Sequence, residues 1–368
     1  MFYHSLVSDW NHGNAHFLRG IVTELSALGH EVKVYEEERN WSLVNMLKET
    51  VKSSSEEFQQ VYPGLRTHFY DPASLDLESI LEDQELVIVH EWNSYALVKK
   101  IGEYRARSGK FKLLFHDTHH RGVTDKLSMS EYELGAYDGV LAFGNVIRDI
   151  YLTEGWAKNV WTWHEAADTR VFHPMKNIEP RGDLVWIGNW GDDERTEELQ
   201  TFLIEPVKEL GLKAIIYGVR YPEQALNTLK DAGIEYGGWL PNYKVPQVFA
   251  RYRVTVHIPR RPYVESLPGI PTIRPFEALA CGIPLVCSPW NDSENLFNAG
   301  KDYLVAGNKE DMKTNLKWIM NDSDKAQRLR SSGLQTIESS HTCKHRADQL
   351  LQIYYSIIIK SAELPETL

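Results

Sequence analysis

Short apolar runs bounded by turn residues recur along the chain, and between them apolar positions return at helical spacing. Residues 2–7, 86–90, 111–115 and 137–143 have the strand pattern in the front half, and 184–187, 213–217, 254–258 and 283–287 in the rear half. Phe17, Leu18, Ile21, Val22, Leu25 and Leu28 fall on one helical stripe that stops at Gly29, and the next run, Val32-Lys33-Val34-Tyr35, leads into a second strand. Further helices are predicted over 145–153 and 341–359. Strand and helix patterns alternating from end to end predict an α/β fold with parallel sheets. The polar stretch 41–75, with Ser53-Ser54-Ser55-Glu56-Glu57 inside it, reads as helices and a connection without a sheet strand. Pro174, Pro180 and Gly182 punctuate the chain as a domain connection does, giving a first domain over 1–172, a hinge over 173–182, a second domain over 183–340 and a C-terminal helix over 341–360. Open parallel sheets bind ligands beyond the carboxyl ends of their strands. The polar clusters that follow strands, His90-Glu91-Trp92-Asn93 and His116-Asp117-Thr118-His119-His120, are therefore expected to face one cleft.

The stretch 259–291 carries the most chemistry. Ile270-Pro271-Thr272 form a stiff approach, Pro275 is placed to open a helix of about two turns, Gly282 stops it, and 283–287 reads as a buried strand behind it. Free amides at a helix start, with Arg260, Arg261 and Arg274 nearby, suit a diphosphate. Glu277 is expected in the first turn, where an ionised carboxylate would accept two ribose hydroxyls; a plain capping residue is the equal alternative.

Composition narrows the picture. A length of 368 residues fits two domains, and a net charge of −11 argues against duplex nucleic acid or an anionic membrane as the main partner. No apolar run approaches the roughly 20 residues that span a bilayer, and Met1-Phe2-Tyr3-His4 does not open a signal peptide, so a cytoplasmic protein is expected. Cys281, Cys287 and Cys343 show no metal-ligand spacing and an odd count, which reads as reduced core thiols. The histidines at 116, 119 and 120 with Asp117 would suit a metal, but no second tight cluster completes a site, so no metal is expected.

Arg274-Pro275-Phe276-Glu277-Ala278-Leu279-Ala280-Cys281-Gly282 resembles the nucleotide-sugar segment of glycosyltransferases with the GT-B fold, in the large retaining group and its spore-maturation-type branch. Other segments match in order over nearly the whole chain. The resemblance implies two Rossmann-like domains with parallel sheets facing across a cleft, a nucleotide diphosphate sugar as donor (UDP before GDP), a hydroxyl acceptor and no cofactor. It implies that Gly218, Val219, Trp239 and Leu240 cup the base and Glu277 holds the ribose. Asn189, Arg195, Arg260, Arg261, Ile270, Pro271, Thr272 and Arg274 would surround the diphosphate. His116 lies against the sugar in this likeness, with Asp117 beside it, and Asn11, His12, Gly13, His90, Glu91, His119 and Glu265 border sugar or acceptor.

The sequence departs from the family twice. Asn189 stands where a basic phosphate clamp is usual, and Gly269 where a first glutamate is usual, with Glu265 four positions further away as a substitute. Retention by a front-face route is the expected course, with inversion through Asp117 or Glu91 as general base left open. A nucleotide-sugar epimerase and an inactive nucleotide- or carbohydrate-binding protein are the alternative functions.

Overall fold

The computed structural model describes residues 1–49 and 54–363; Ser53 of the expected connection lies outside them. The front half has β1 (Val34–Glu37), β2 (Thr67–Tyr70), β3 (Leu86–His90), β4 (Lys112–Asp117), β5 (Gly139–Ala142) and β6 (Val160–Thr162), of which β3, β4 and β5 are formed by runs such as Leu113-Leu114-Phe115 that are buried on both faces, as parallel strands under helices are. β3-β4-β5-β6 pair in parallel in that order, β1 pairs in parallel with β2, and Phe2 bridges Tyr35 of β1 and Val89 of β3. In the rear half β7 (Gly182–Ile187), β8 (Ala214–Tyr217), β9 (Glu235–Tyr236), β10 (Tyr252–His257), β11 (Leu285–Cys287) and β12 (Leu304–Val305) form a second parallel sheet in the order β12-β11-β10-β7-β8-β9.

Three local expectations are corrected. The strand expected over 2–7 is reduced to the bridge at Phe2. The buried carboxylate of Glu36 accepts hydrogen bonds from Ser5 Oγ at 2.8 Å, Leu6 N at 2.7 Å and Val7 N at 3.3 Å, so a side chain takes amides that a ladder would otherwise use. The polar stretch 41–75 does contain a strand, β2, whose Thr-His-Phe-Tyr run is short and partly exposed as an edge strand is. The helix that carries Glu277 runs over Ile273–Ala280, starting two residues ahead of Pro275, which places Glu277 beyond its first turn.

The C-terminal helix Cys343–Glu363 returns to the front half. It lies along the first helix, Ala15–Ala27, where a Cβ on Gly20 would stand 2.3 Å from Cys343 Sγ, so only glycine allows this approach. Trp163 Nε1 donates to Arg346 O at 2.9 Å and Gln349 Nε2 to Thr162 O at 3.0 Å, tying the helix to β6 and the loop after it. One apolar cluster joins the halves: Phe17, Ile88 and Leu114 from the front share it with Tyr243, Ile273 and Phe276 from the rear. Burying each such side chain contributes about 1.5–3 kcal/mol.

Candidate functional site

Between the two sheets lies a polar cleft of about 380 Å³, walled on each side by residues just past the carboxyl ends of strands. The rear wall begins at Asn189, after β7. Its Oδ1 accepts from Val219 N at 2.9 Å and its Nδ2 donates to Asn11 Oδ1 of the front half, so this amide spans the cleft in place of a cation. Gly218 and Val219 follow β8, and Trp239 and Leu240 follow β9; all four border the cleft. A Cβ on Gly218 would stand 2.1 Å from Gly188 O, so the two strand ends close up only over glycine. Trp239 Nε1 donates to Asp9 Oδ1 at 3.2 Å, across to the front half.

Arg260, Thr272, Ile273 and Arg274 complete that wall. Thr272 holds φ 59 and ψ 179, a backbone state that a β-branched residue adopts only under constraint, and such strain concentrates at functional sites. It precedes a helix whose opening amides have no side-chain cap, so their partial positive charge is available to a ligand. Arg260 pairs with Glu194 at 3.0 Å while bordering the cleft.

Several expected ligands lie elsewhere. Glu277 is fully buried and does not border the cleft. Asp168 N donates to His16 Nε2 at 2.7 Å, so the ring hydrogen sits on Nδ1, which donates to Glu277 Oε1 at 2.8 Å. Asn242 Nδ2 donates to the same oxygen at 2.6 Å, and Arg274 Nη1 to the other. Burial raises this carboxyl, but Arg274 and the hydrogen bonds from His16 and Asn242 outweigh it, holding the group below its ordinary range. Both of its oxygens are engaged by protein donors and it is closed off from the cleft, so where the sequence led to an open ribose acceptor the structure has an internal clamp that fixes Arg274 and Asn242, both of which do border the cleft.

Arg195 is likewise turned inward. Nη1 donates to Ile258 O at 3.0 Å and Nη2 to Asn189 O, and the guanidinium lies 5.1 Å from the Trp186 ring centre. Burial, then Arg260, lowers it to about 10. It braces the Asn189 loop and does not border the cleft. Arg261 and Glu265 sit on one short helix, Arg261–Glu265, whose Tyr263 faces the cleft. Residues four apart share a helix face, so Arg261 and Glu265 are directed away together. Arg261 pairs with Glu198 at 2.8 Å and Glu265 is exposed. Ile270 is 2% exposed and packs against Gly144 of the front half, and Pro271 is buried; neither borders the cleft.

On the front wall, Asn11, His12, Gly13 and His119 border the cleft as expected. His116, Asp117, His90 and Glu91 do not, because each is fully buried one layer below. His116 sits 4.8 Å from the Trp163 ring and 5.5 Å from His90; both ring nitrogens are without partners among the described residues, and burial lowers it to about 3. Asp117 accepts from Tyr151 Oη at 2.9 Å and His119 N at 3.0 Å, and burial, then Glu91, raise its carboxyl well above the ordinary range. His90 Nε2 meets Thr118 Oγ1 at 2.9 Å. Glu91 pairs with Arg121 at 2.7 Å and accepts from Thr118 N at 2.9 Å. These clusters end their strands as expected, but the last strand residues are buried, and it is Trp92 of the first cluster and Thr118, His119 and His120 of the second that border the cleft.

The cleft also contains residues that sequence reasoning passed over. Asn14 precedes the first helix, Arg220 follows β8 at φ 62, Asn242 follows β9, and Glu165 follows β6. Position past a strand end is the signal common to the last three. Glu165 is 7% exposed, accepts from Asn14 Nδ2 at 2.6 Å, and is raised by burial to about 7. Among the described residues no three of His, Cys, Asp and Glu converge as metal ligands, and no helix is long and apolar enough to cross a membrane.

Two parallel α/β sheets facing across a cleft bordered by their strand ends define the GT-B fold of glycosyltransferases, and solved structures agree. Residues 195–352 match the family model described as "Glycosyl transferase-like", which with the fold supports a transferase. The chain is similar to Anabaena HepE, solved with UDP and glucose (12% identity, 96% of this chain and 98% of that one, TM-score 0.66). It is similar also to sucrose-phosphate synthase from Thermosynechococcus elongatus (13% identity, 95% and 94%, TM-score 0.65) and to T4 phage BGT, solved with UDP and Mn2+ (12% identity, 97% and 98%, TM-score 0.60). No curated protein matches the sequence.

Proposed function

We propose that the protein transfers a hexosyl group from a UDP-sugar to a hydroxyl acceptor bound in this cleft. The observation that carries the reading is the rear wall: an uncapped helix start led by a strained Thr272, flanked by Arg260 and Arg274, opposite strand-end backbone at Gly218 and Trp239. A nucleoside diphosphate matches that pattern, with its base along Gly218, Val219, Trp239 and Leu240 and its phosphates at Arg260, Arg274 and the amides after Thr272. In this reading Asn189 bonds a phosphate oxygen as a neutral donor, and leaving-group charge is stabilised by the two arginines. UDP is the preferred nucleotide because HepE and T4 phage BGT, which share the fold, are both solved with UDP. Asn11, His12, Gly13 and His119 would border the sugar and acceptor, with no cofactor taking part.

The acceptor proton has two exits. Attack from the leaving-group face, with the donor phosphate taking the proton, gives retention, and attack from the opposite face, with a carboxylate as base, gives inversion. Asp117 and Glu91 are out of reach of the cleft for the second route.

Thermal unfolding with UDP, UMP, GDP and UDP-sugars tests the reading, since a ligand of the native state raises the midpoint by mass action. UDP and at least one UDP-sugar should raise it more than UMP does, and Arg260→Ala should remove the difference between UDP and UMP. Equal, or absent, shifts for UDP and UMP in the unmutated protein would remove the diphosphate site.

A further inference from the structure

We propose that Glu165 takes the proton of the acceptor hydroxyl, an inference that rests on the transferase reading above. Among the described residues two carboxylates border the cleft, Asp9 and Glu165. Asp9 is heavily engaged: its Oδ2 accepts from Arg19 Nη1 at 3.0 Å and Asn242 N at 3.1 Å, and its Oδ1 from Trp239 Nε1 at 3.2 Å. Glu165 has one hydrogen-bond partner among the described residues, Asn14, and is in no ion pair there. With one donor against three, Glu165 is the carboxylate with the greater capacity for a ligand.

Its backbone is clamped from both sides. Before it, the Trp163 indole is fixed on Arg346 O, His164 Nδ1 meets Phe143 O at 3.0 Å, and His164 Nε2 meets Glu294 at 2.9 Å. Arg346 Nε donates to His164 O at 3.0 Å, and after it Ala167 pairs with Thr342. A group held this way keeps its aim without being ordered at the moment of reaction.

The surroundings suit a base that works near neutrality. Burial is the largest influence raising the carboxyl and Glu277 adds to it, while the Asn14 hydrogen bond opposes both. The polar and titratable groups near it are Asn14 from the lead of the first helix, Glu277 from the rear half, and Tyr263, whose phenol is raised by burial and then by Glu165. Arg274 of the rear wall is engaged by Glu277.

In the step, the acceptor O–H bond breaks and its proton goes to the Glu165 carboxylate. The acceptor oxygen bonds the anomeric carbon while the bond from that carbon to the diphosphate oxygen breaks. UDP leaves with the electron pair toward Arg260 and the turn at Thr272. A single base-assisted displacement inverts the anomeric centre.

UDP-sugars as donors and water as acceptor test this without knowledge of the natural acceptor. UDP release from UDP-glucose, UDP-galactose and UDP-N-acetylglucosamine is followed for the wild type and E165Q, with UDP affinity measured calorimetrically beside it. At pH 8, E165Q should release UDP about 10²–10⁴-fold more slowly, the range of general acid–base catalysis, with UDP affinity within about threefold of wild type. The base acts deprotonated, so the wild-type rate should fall about tenfold per pH unit below pH ~7. That limb should be absent from E165Q, and the sugar first released should carry the anomer opposite to the donor's. An E165Q rate within threefold of wild type, an unchanged acid limb, or a retained anomer would overturn this inference and leave UDP binding standing. Failure of the wild type to bind UDP, or to release it from any of the three donors, would overturn both.

Discussion

The residue that most changes the view of the site is Glu277. It joins His16 of the front half to Asn242 and Arg274 of the rear, entirely out of water. Removing one member of a buried charged network leaves the others desolvated and uncompensated, at roughly 3–5 kcal/mol. Glu277→Ala is therefore expected to lower the free energy of unfolding by about that much in urea denaturation. A loss below about 1 kcal/mol would show that its partners find other company. Its acidic character, its proximity to arginines and its helix were legible in the sequence. Its partner His16 was not, because 261 positions separate them and only the closure of the two halves brings them together. Glu165 shows the converse: nothing in Trp163-His164-Glu165-Ala166 marks chemistry until β6 is seen to end just before it.

At the scale of elements, the strand ends do the positioning. The apolar runs and the turn residues after them were readable, and so were Gly218, Val219, Trp239 and Leu240 as cleft residues. Depth was not readable: whether the last residue of a strand is sealed, as His90 and His116 are, or open depends on its neighbours in the sheet and on what packs above. Nor was facing on the short helix Arg261–Glu265, where Tyr263 and not the charged residues turns inward. β7 and β8 end so close together that a Cβ on Gly218 would overlap Gly188 O. Gly218→Ala must push the loops apart, costing about 1–3 kcal/mol as overpacking does. Its expected outcome is a lower unfolding midpoint and UDP binding weakened at least tenfold. Unchanged UDP affinity would show that these strand ends do not cup the base.

The whole molecule is two similar sheets joined by polar ties between the halves: Asn11 to Asn189 and Asp9 to Trp239 at the cleft, and His16 to Glu277 and Asn145 N to Glu294, at 2.7 Å, away from it. The C-terminal helix, reached through the rear half, packs on the first helix and on β6 and so fixes the Glu165 loop of the front half. The two halves set hydrogen-bond donors and three arginines, Arg220, Arg260 and Arg274, around one polar space, an arrangement suited to stabilising negative charge. The central claim is that this space receives a nucleoside diphosphate on its rear wall. A crystal structure of the protein grown with UDP measures that directly. The account predicts the pyrophosphate within hydrogen-bonding distance of Arg260 or Arg274 and of the amides following Thr272, with uracil beside Gly218 and Trp239. A cleft left empty at saturating UDP, or UDP bound away from that wall, would contradict it.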